Sequence, residues 1–313
     1  MTSVIRGLAL QHSQTASVVR GTRPIRYSQS VHGALPMASF AHYTTRSVEM
    51  VNFIDEDDPW FAENQPDDQG FTRPTYHVTR SKTGPAARVA PKDTIWLFSQ
   101  LKSPFGTLPP ALDAKIVVSS IAKRAVAGNG GFRYEAHPEL SRWFPLRDVS
   151  TTLLELNTID FRRNNSPLLK GPSQHIGRAL QNMRELKSDE PLLRFEKECD
   201  GLPYDFVSYR ILDGTQYAFL QVCALVGSGK CVWWDRWSLP RRLAERREFL
   251  SNNSLDKHIM DSIGGSESVW GVESDGYGKE GTYSAKEKAE AKRLGKLKVV
   301  SIHNEESMLR ASL

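Results

Sequence analysis

Three cysteines in 313 residues are too few for a disulfide framework, so stability must come from a packed core. A reducing compartment fits that count. No apolar run approaches the ~20 residues needed to span a bilayer, which argues against a transmembrane segment. Apolar residues are scarce overall, at 39% of the chain, so part of it is expected to lie outside any core. The eight histidines are scattered, and none stands at ligand spacing from a cysteine, so no metal site is expected. A serine nucleophile would need a sharp G-x-S-x-G turn, and there is none. The stretch 224–231, ALVGSGKC, ends like a phosphate-binding loop. It has Ala224 where the first glycine belongs, Cys231 where a Ser or Thr would hold magnesium, and a strand pattern where a helix should follow. Gly128-Asn129-Gly130-Gly131 lacks the strand-before, helix-after order of a phosphate cradle and reads as a helix C-cap. No cofactor is expected, and no small-molecule ligand is inferred.

Acidic residues are missing from the first 48 positions. That segment holds five arginines (Arg6, Arg20, Arg23, Arg26, Arg46) and no lysine, while the rest of the chain balances at 36 basic and 36 acidic residues. Residues 49–72 then carry eight acids and no base. An Arg-, Ser- and Thr-rich, acid-free leader has the composition of an organellar transit peptide. A positive, weakly amphipathic segment is attracted to an acidic receptor and pulled by an inside-negative potential. Arg26-Tyr27-Ser28 resembles a processing site with arginine two residues before the cut, and Arg46-Ser47-Val48 offers a later one. A mature N-terminus is therefore expected between Ser28 and Glu49. The competing reading is a disordered basic arm of the kind a viral capsid or matrix protein carries.

The chain divides into four parts: a leader or basic arm (1–48), an acidic, Pro-rich linker (49–92), a globular α+β domain (93–250), and a loose segment (251–313) with a charged C-terminal helix. Pro59, Pro66, Pro74, Pro85 and Pro91 break regular structure in the linker. In the domain, TIWLF (94–98) reads as a strand and Pro109-Pro110 as the start of a helix through 111–127. Residues 150–161 read as a strand and 173–188 as an amphipathic helix. Leu239-Pro240 opens a further helix bearing Arg241, Arg242, Arg246 and Arg247. Beyond it, SAKEKAEAKRLG reads as a peripheral helix and LKVVSIH as an edge strand.

The strongest pattern is an antiparallel β-meander (about 204–237) packed with amphipathic helices. Asp213-Gly214 is a two-residue hairpin signal, and Gly227–Lys230 supplies a second turn. In that register one face is nearly all apolar, with Val207, Val222, Val226 and Trp237, and should lie on the core. Cys223 and Cys231 fall on opposite faces, so a bond between them is not expected. The mixed face carries Arg210, Tyr217, Phe219, Gln221, Trp234 and Arg236. Left open, it would bind RNA, with aromatics stacking bases and arginines neutralising phosphates. Covered by a helix, it would be plain core. Asp205 and Asp235 fall in one row, where two carboxyls could share a proton.

These features together point to a non-enzymatic protein of the mitochondrial matrix or the matrix face of the inner membrane. It would be an assembly factor, an accessory subunit or a mitochondrial gene-expression factor, with a protein partner or complex and RNA as a second candidate partner. One alternative is a viral structural, matrix or RNA-coating protein. Another is an enzyme whose site assembles only in the fold, with Asp205, Asp235 and Arg236 as candidates.

Overall fold

The computed structural model describes residues 37–44, 46–47, 73–123, 130–160, 162–171, 174–238 and 254–301. Most of the first 48 residues, the acidic run at 49–72 and the arginine-rich stretch 239–250 lie outside them, as do residues 124–129, which include the start of the expected glycine cap.

The fold is mixed α and β. Its first half supplies β1 (Ser39–Tyr43), β2 (Arg46–Ser47), β3 (Tyr76–Thr79), β4 (Thr94–Ser99), β5 (Leu101–Ser103), β6 (Gly106–Thr107), β7 (Ala111–Lys123), β8 (Phe132–Ala136) and β9 (Arg142–Trp143). Then come α1 (Ser150–Glu155), β10 (Asn157–Ile159), β11 (Asn165–Pro167), α2 (Ile176–Ala179), β12 (Arg184–Leu186) and α3 (Glu190–Gly201). Nine of these strands form one sheet, ordered β11-β10-β12-β1-β4-β7-β8-β3, with β9 beside β7. β1 and β4 run parallel, and the other pairs are antiparallel. One face buries Ala41, Trp96 and Phe98 against Leu153, Ile176 and Phe195 from the three helices. The other gathers Phe40, Ile95, Leu97, Ile116 and Tyr134 under Ala86 and Val89.

Several local expectations fail here. The expected helix at 111–127 is the 13-residue strand β7. Ile116-Val117-Val118 is a β-branched run, and Ala114, Ile116 and Val118 alternate into the core. The expected strand at 150–161 splits into α1 and β10. The expected helix at 173–188 keeps only α2, because Arg184–Leu186 finds backbone partners in β1 and β10. The expected strand at 94–98 is present as β4. The folded body also begins far upstream of Asp93. Strand β1 lies inside the segment read as leader, yet it sits mid-sheet between β4 and β12. The compact unit that contains it starts at Met37.

The second half is a parallel sheet with helical crossovers. It contains β13 (Tyr204–Ser208), α4 (Ile211–Gly227), β14 (Cys231–Trp233), α5 (Asp235–Ser238), α6 (Ser254–Gly265), β15 (Ser268–Glu273), α7 (Tyr283–Arg293) and β16 (Leu297–Ser301). The order is β14-β13-β15-β16, parallel throughout. Ala218, Phe219 and Val222 of α4 pack with Val207, Val232 and Val272 on one face. Ile259 and Ile263 of α6 and Ala291 of α7 pack with Phe206 and Val269 on the other.

This arrangement overturns the meander. The supposed middle strand is α4, whose buried Gly214, Thr215, Ala218, Phe219, Val222, Leu225 and Val226 recur at helical spacing. Parallel strands such as β13 and β14 need a crossover, which α4 provides. Asp213-Gly214 sits in the first helical turn. The second turn is real, with Gly229 at φ +80°, but it joins a helix to a strand. The stretch expected to be loose is organised over Ser254–Ser301, where α6, β15, α7 and β16 complete the sheet. α7 and the edge strand β16 lie where the sequence suggested.

Candidate functional site

In an open parallel sheet, polar chemistry and ligands collect at the carboxyl ends of the strands, where the strand order reverses. The chain leaves β13 for β14 on one side and returns to β15 on the other, so the reversal lies between β13 and β15. The end of β13, helix α5, the loop after β15 and helix α7 bring side chains there. Ser208, Tyr209 and Arg210 come from the end of β13, and Asp235 and Arg236 follow β14. Ser274, Gly276 and Tyr277 follow β15, and Glu287 comes from α7.

Two hydrogen-bonded chains run through this edge. Tyr277 donates its hydroxyl to Ser208 Oγ at 3.1 Å, and Ser208 donates to Glu287 Oε2 at 2.5 Å. Burial pushes the Glu287 carboxyl up to about 7; the Ser208 hydrogen bond opposes this and the Asp235 charge adds to it. In the second chain Arg236 Nε donates to the Tyr209 hydroxyl at 2.9 Å, and that hydroxyl donates to Asp235 Oδ1 at 2.8 Å. Burial and the Asp235 charge keep the Tyr209 phenol protonated. Asp213, in the first turn of α4, ties that helix to the loop after β15. It accepts from Ser274 Oγ at 2.7 Å, Gly276 N at 2.9 Å and Arg210 Nη1 at 3.3 Å. Burial works against this carboxylate, but those contacts hold it below the usual range. A Cβ at Gly276 would stand 1.7 Å from Arg210 Nη1, so a larger residue would displace the Arg210 side chain from Asp213.

The arrangement gives one buried carboxyl able to exchange a proton near neutral pH, chained to a serine and a tyrosine. Glu287 has a folded-state value above its ordinary 4.5. Its contribution to stability is therefore complete below 4.5 and lost as the pH rises through 7. Glu287→Gln stays neutral and should be more stable than wild type by about 3 kcal/mol at alkaline pH, with no gain under acid. Urea unfolding at both ends of that range measures it. Parallel pH dependence in the two proteins would mean that Glu287 does not ionise from a buried position.

The six residues named for RNA do not share an open face. Trp234, Phe219 and Arg236 are 0%, 2% and 1% exposed. The Phe219 and Trp234 rings lie 6.3 Å apart inside the core of the parallel sheet. Arg210 caps α4, while Tyr217 and Gln221 are half-buried on it. The face-sharing list assumed a two-residue period, whereas a helix turns these positions through about 100° per residue. Asp205 and Asp235 also part company. Asp205 lies near the amino end of β13, 3.8 Å from Lys230 Nζ, and Asp235 lies beyond the carboxyl end of β14.

Sequence reasoning missed Glu287, because KEKAEAK looked solvent-facing all round. A signal was there: Ser284, Glu287 and Ala291, spaced by three and four, form the buried side of α7. It also treated all eight histidines as scattered. His42 in β1 and His77 in β3 meet with Nδ1 and Nε2 2.7 Å apart, both buried. Among the described residues no group of three or more His, Cys, Asp or Glu gathers where a metal ion could sit, and no helix is long and apolar enough to cross a membrane. A cavity of about 190 Å³ lies beside α1, walled by Leu153, Leu169 and Ile176 and edged by Gln100, Ser150 and His175. With this geometry in hand, no family model, no curated protein and no solved structure matches the chain.

Proposed function

We propose that the protein is a mitochondrial component that works by binding, as an assembly factor, accessory subunit or gene-expression factor within the matrix or on the matrix face of the inner membrane. The observation that carries this reading is the acid-free stretch at the N-terminus, with Arg6, Arg20, Arg23 and Arg26 all ahead of Met37. Hydrogen bonding across the carboxyl edge of the parallel sheet supports it. There Arg210, Asp213, Ser274 and Gly276 bind one another in the position where an enzyme of this topology takes its ligand. The expected partner is a protein or complex. An RNA partner would need a surface other than the one named from the sequence, because Trp234 and Arg236 are buried.

Strand β1 sharpens the targeting reading. Cleavage near Arg46-Ser47 would remove a strand paired on both sides, whereas cleavage near Arg26-Tyr27-Ser28 would spare it. The mature N-terminus is thus expected between Ser28 and Met37. A reporter carrying residues 1–36 should enter mitochondria, and peptide mass mapping of the endogenous protein should find its start in that window. A chain beginning at Glu49 should fail to fold, while one beginning at Ser28 folds. Diffuse or nuclear reporter signal would overturn the mitochondrial reading, and a stable chain starting at Glu49 would overturn the revised cleavage window.

A second reading, an enzyme using Glu287 as acid and base, is favoured by the Tyr277–Ser208–Glu287 chain. Complementation separates the two. An enzyme should lose function in Ser208→Ala at normal protein abundance, whereas a binding protein should lose function only as abundance falls.

A further inference from the structure

Cys199 lies in the last turn of α3 and Cys231 opens β14; both are free thiols buried at 7% and 1% exposure. The backbone brings them to one cation. Leu146 and Val232 form an antiparallel bridge, with N···O distances of 3.2 and 2.8 Å in the two directions, which sets Arg147 opposite Cys231. The Arg147 guanidinium reaches across to Cys199, with Nη1 3.9 Å from Sγ. Glu198 at 3.1 Å and the Phe195 ring at 4.9 Å hold that guanidinium in place. Each thiol thus neighbours the same Arg147 side chain, Cys199 by direct contact and Cys231 by its place across the bridge.

We propose that Cys199 and Cys231 form an oxidation site for hydroperoxides, with Cys199 as the attacking sulfur and Cys231 as the resolving one. The Cys199 thiolate attacks a peroxide oxygen. An S–O bond forms, the O–O bond breaks, and the leaving alkoxide or hydroxide takes up the proton that Cys199 released. Cys199 is then a sulfenic acid, oxidised by two electrons. The Cys231 thiol attacks that sulfur, the S–S bond forms, and the hydroxyl leaves as water with the Cys231 proton. Overall, two thiols and one hydroperoxide give one disulfide, one alcohol and one water, or two waters from hydrogen peroxide.

The pair is electrically asymmetric in the sense this chemistry needs. The neighbouring Cys231 thiol lowers the Cys199 thiol against burial, and the Arg147 guanidinium in contact with Cys199 and the Arg142 charge lower it further. Its neighbour Cys199 and burial push Cys231 up. Burial pushes Cys223, on α4, up to about 11 with no cation among the causes, which makes it an internal control. The cation beside the pair also disfavours a metal ion there. The bond would tie α3, which packs on the nine-stranded sheet, to β14 of the parallel sheet.

The test is hydrogen peroxide added to the purified full chain, followed by non-reducing peptide mapping. The expected product is the linked Cys199–Cys231 peptide, with Cys223 still reduced. In Cys231→Ser the expected product is a dimedone adduct on Cys199. Arg147→Gln should slow the reaction ~10-fold or more through the lost thiolate stabilisation. The wild-type map decides the matter even if a variant misfolds. Oxidation of Cys223 as fast as Cys199, or folded protein that forms no link while Cys199 is consumed, would overturn the proposal.

Discussion

Trp234→Ala is expected to cost about 3–5 kcal/mol of folding stability, because the whole indole volume becomes a core cavity. Trp234 is fully buried, 6.3 Å from the Phe219 ring and 6.5 Å from the Tyr209 ring, in the cluster that joins α4 to the parallel sheet. Its Nε1 meets no acceptor among the described residues. Trp234→Phe, which keeps most of the volume and removes a buried N–H, should therefore cost much less. The two variants separate packing from recognition. If Trp234 is core, melting temperature falls steeply in the first and little in the second, and RNA affinity per folded molecule does not change in either. A Trp234→Ala protein that melts like wild type yet binds RNA more weakly would return the indole to an open surface.

Acidification is expected to weaken the fold through His42 and His77. Burial lowers His42 to about 4, with a backbone contact at Gln181 partly opposing. Burial, and then the charge of His42, lowers His77 well below its ordinary 6.5. The rings meet edge-on with centroids 5.0 Å apart, and His77 also stacks on Tyr134. Burial denies a second proton on either ring its hydration, and once His42 is charged His77 also faces a like charge. Because both folded-state values lie below the unfolded one, their stabilisation is complete above 6.5 and is lost as the pH falls towards 4. For His42 alone that amounts to about 3 kcal/mol, and His77 adds to it. Glu287 pulls the other way between 4.5 and 7. The loss is therefore best measured in the Glu287→Gln background, by urea midpoints across this range. Nitrogen chemical shifts give an independent check: an imidazole that titrates near its ordinary value would place that histidine in contact with water.

Some of this architecture was legible residue by residue. β4 is a compact apolar run, α7 is a run of strong helix formers, and β16 is a short β-rich tail segment, so local pattern and final state agree. The mixed α and β character follows from having both kinds of pattern. Elsewhere two local signals conflicted and the weaker-looking one prevailed. Asp213-Gly214 suggested a hairpin, but the buried residues keep a helical period over the 13 positions from Gly214 to Val226, and burial rewards the longer pattern. In 111–123 the proline pair suggested a helix start, and the β-branched run at Ile116–Val118 decided for a strand once β4 and β8 stood on either side. The six-residue mixed face failed with the meander, since it was derived from that register alone.

By itself, then, the sequence determined the absence of acids from the first 48 positions, the balanced charge of the remainder, the paucity of cysteine and the local character of a few strongly periodic elements, because each depends only on composition or nearest neighbours. Tertiary structure decided which residues meet. Parallel pairing of β13 and β15 aligns Ser208 with the loop that carries Tyr277, and α7 swings Glu287 beneath them from 79 residues away along the chain from Ser208. The nine-stranded sheet brings His42 of β1 to His77 of β3, and one bridge at Val232 sets Arg147, which contacts Cys199, opposite Cys231. Such contacts are made by backbone hydrogen bonds between segments far apart in sequence, and no local pattern encodes which partner a strand will choose.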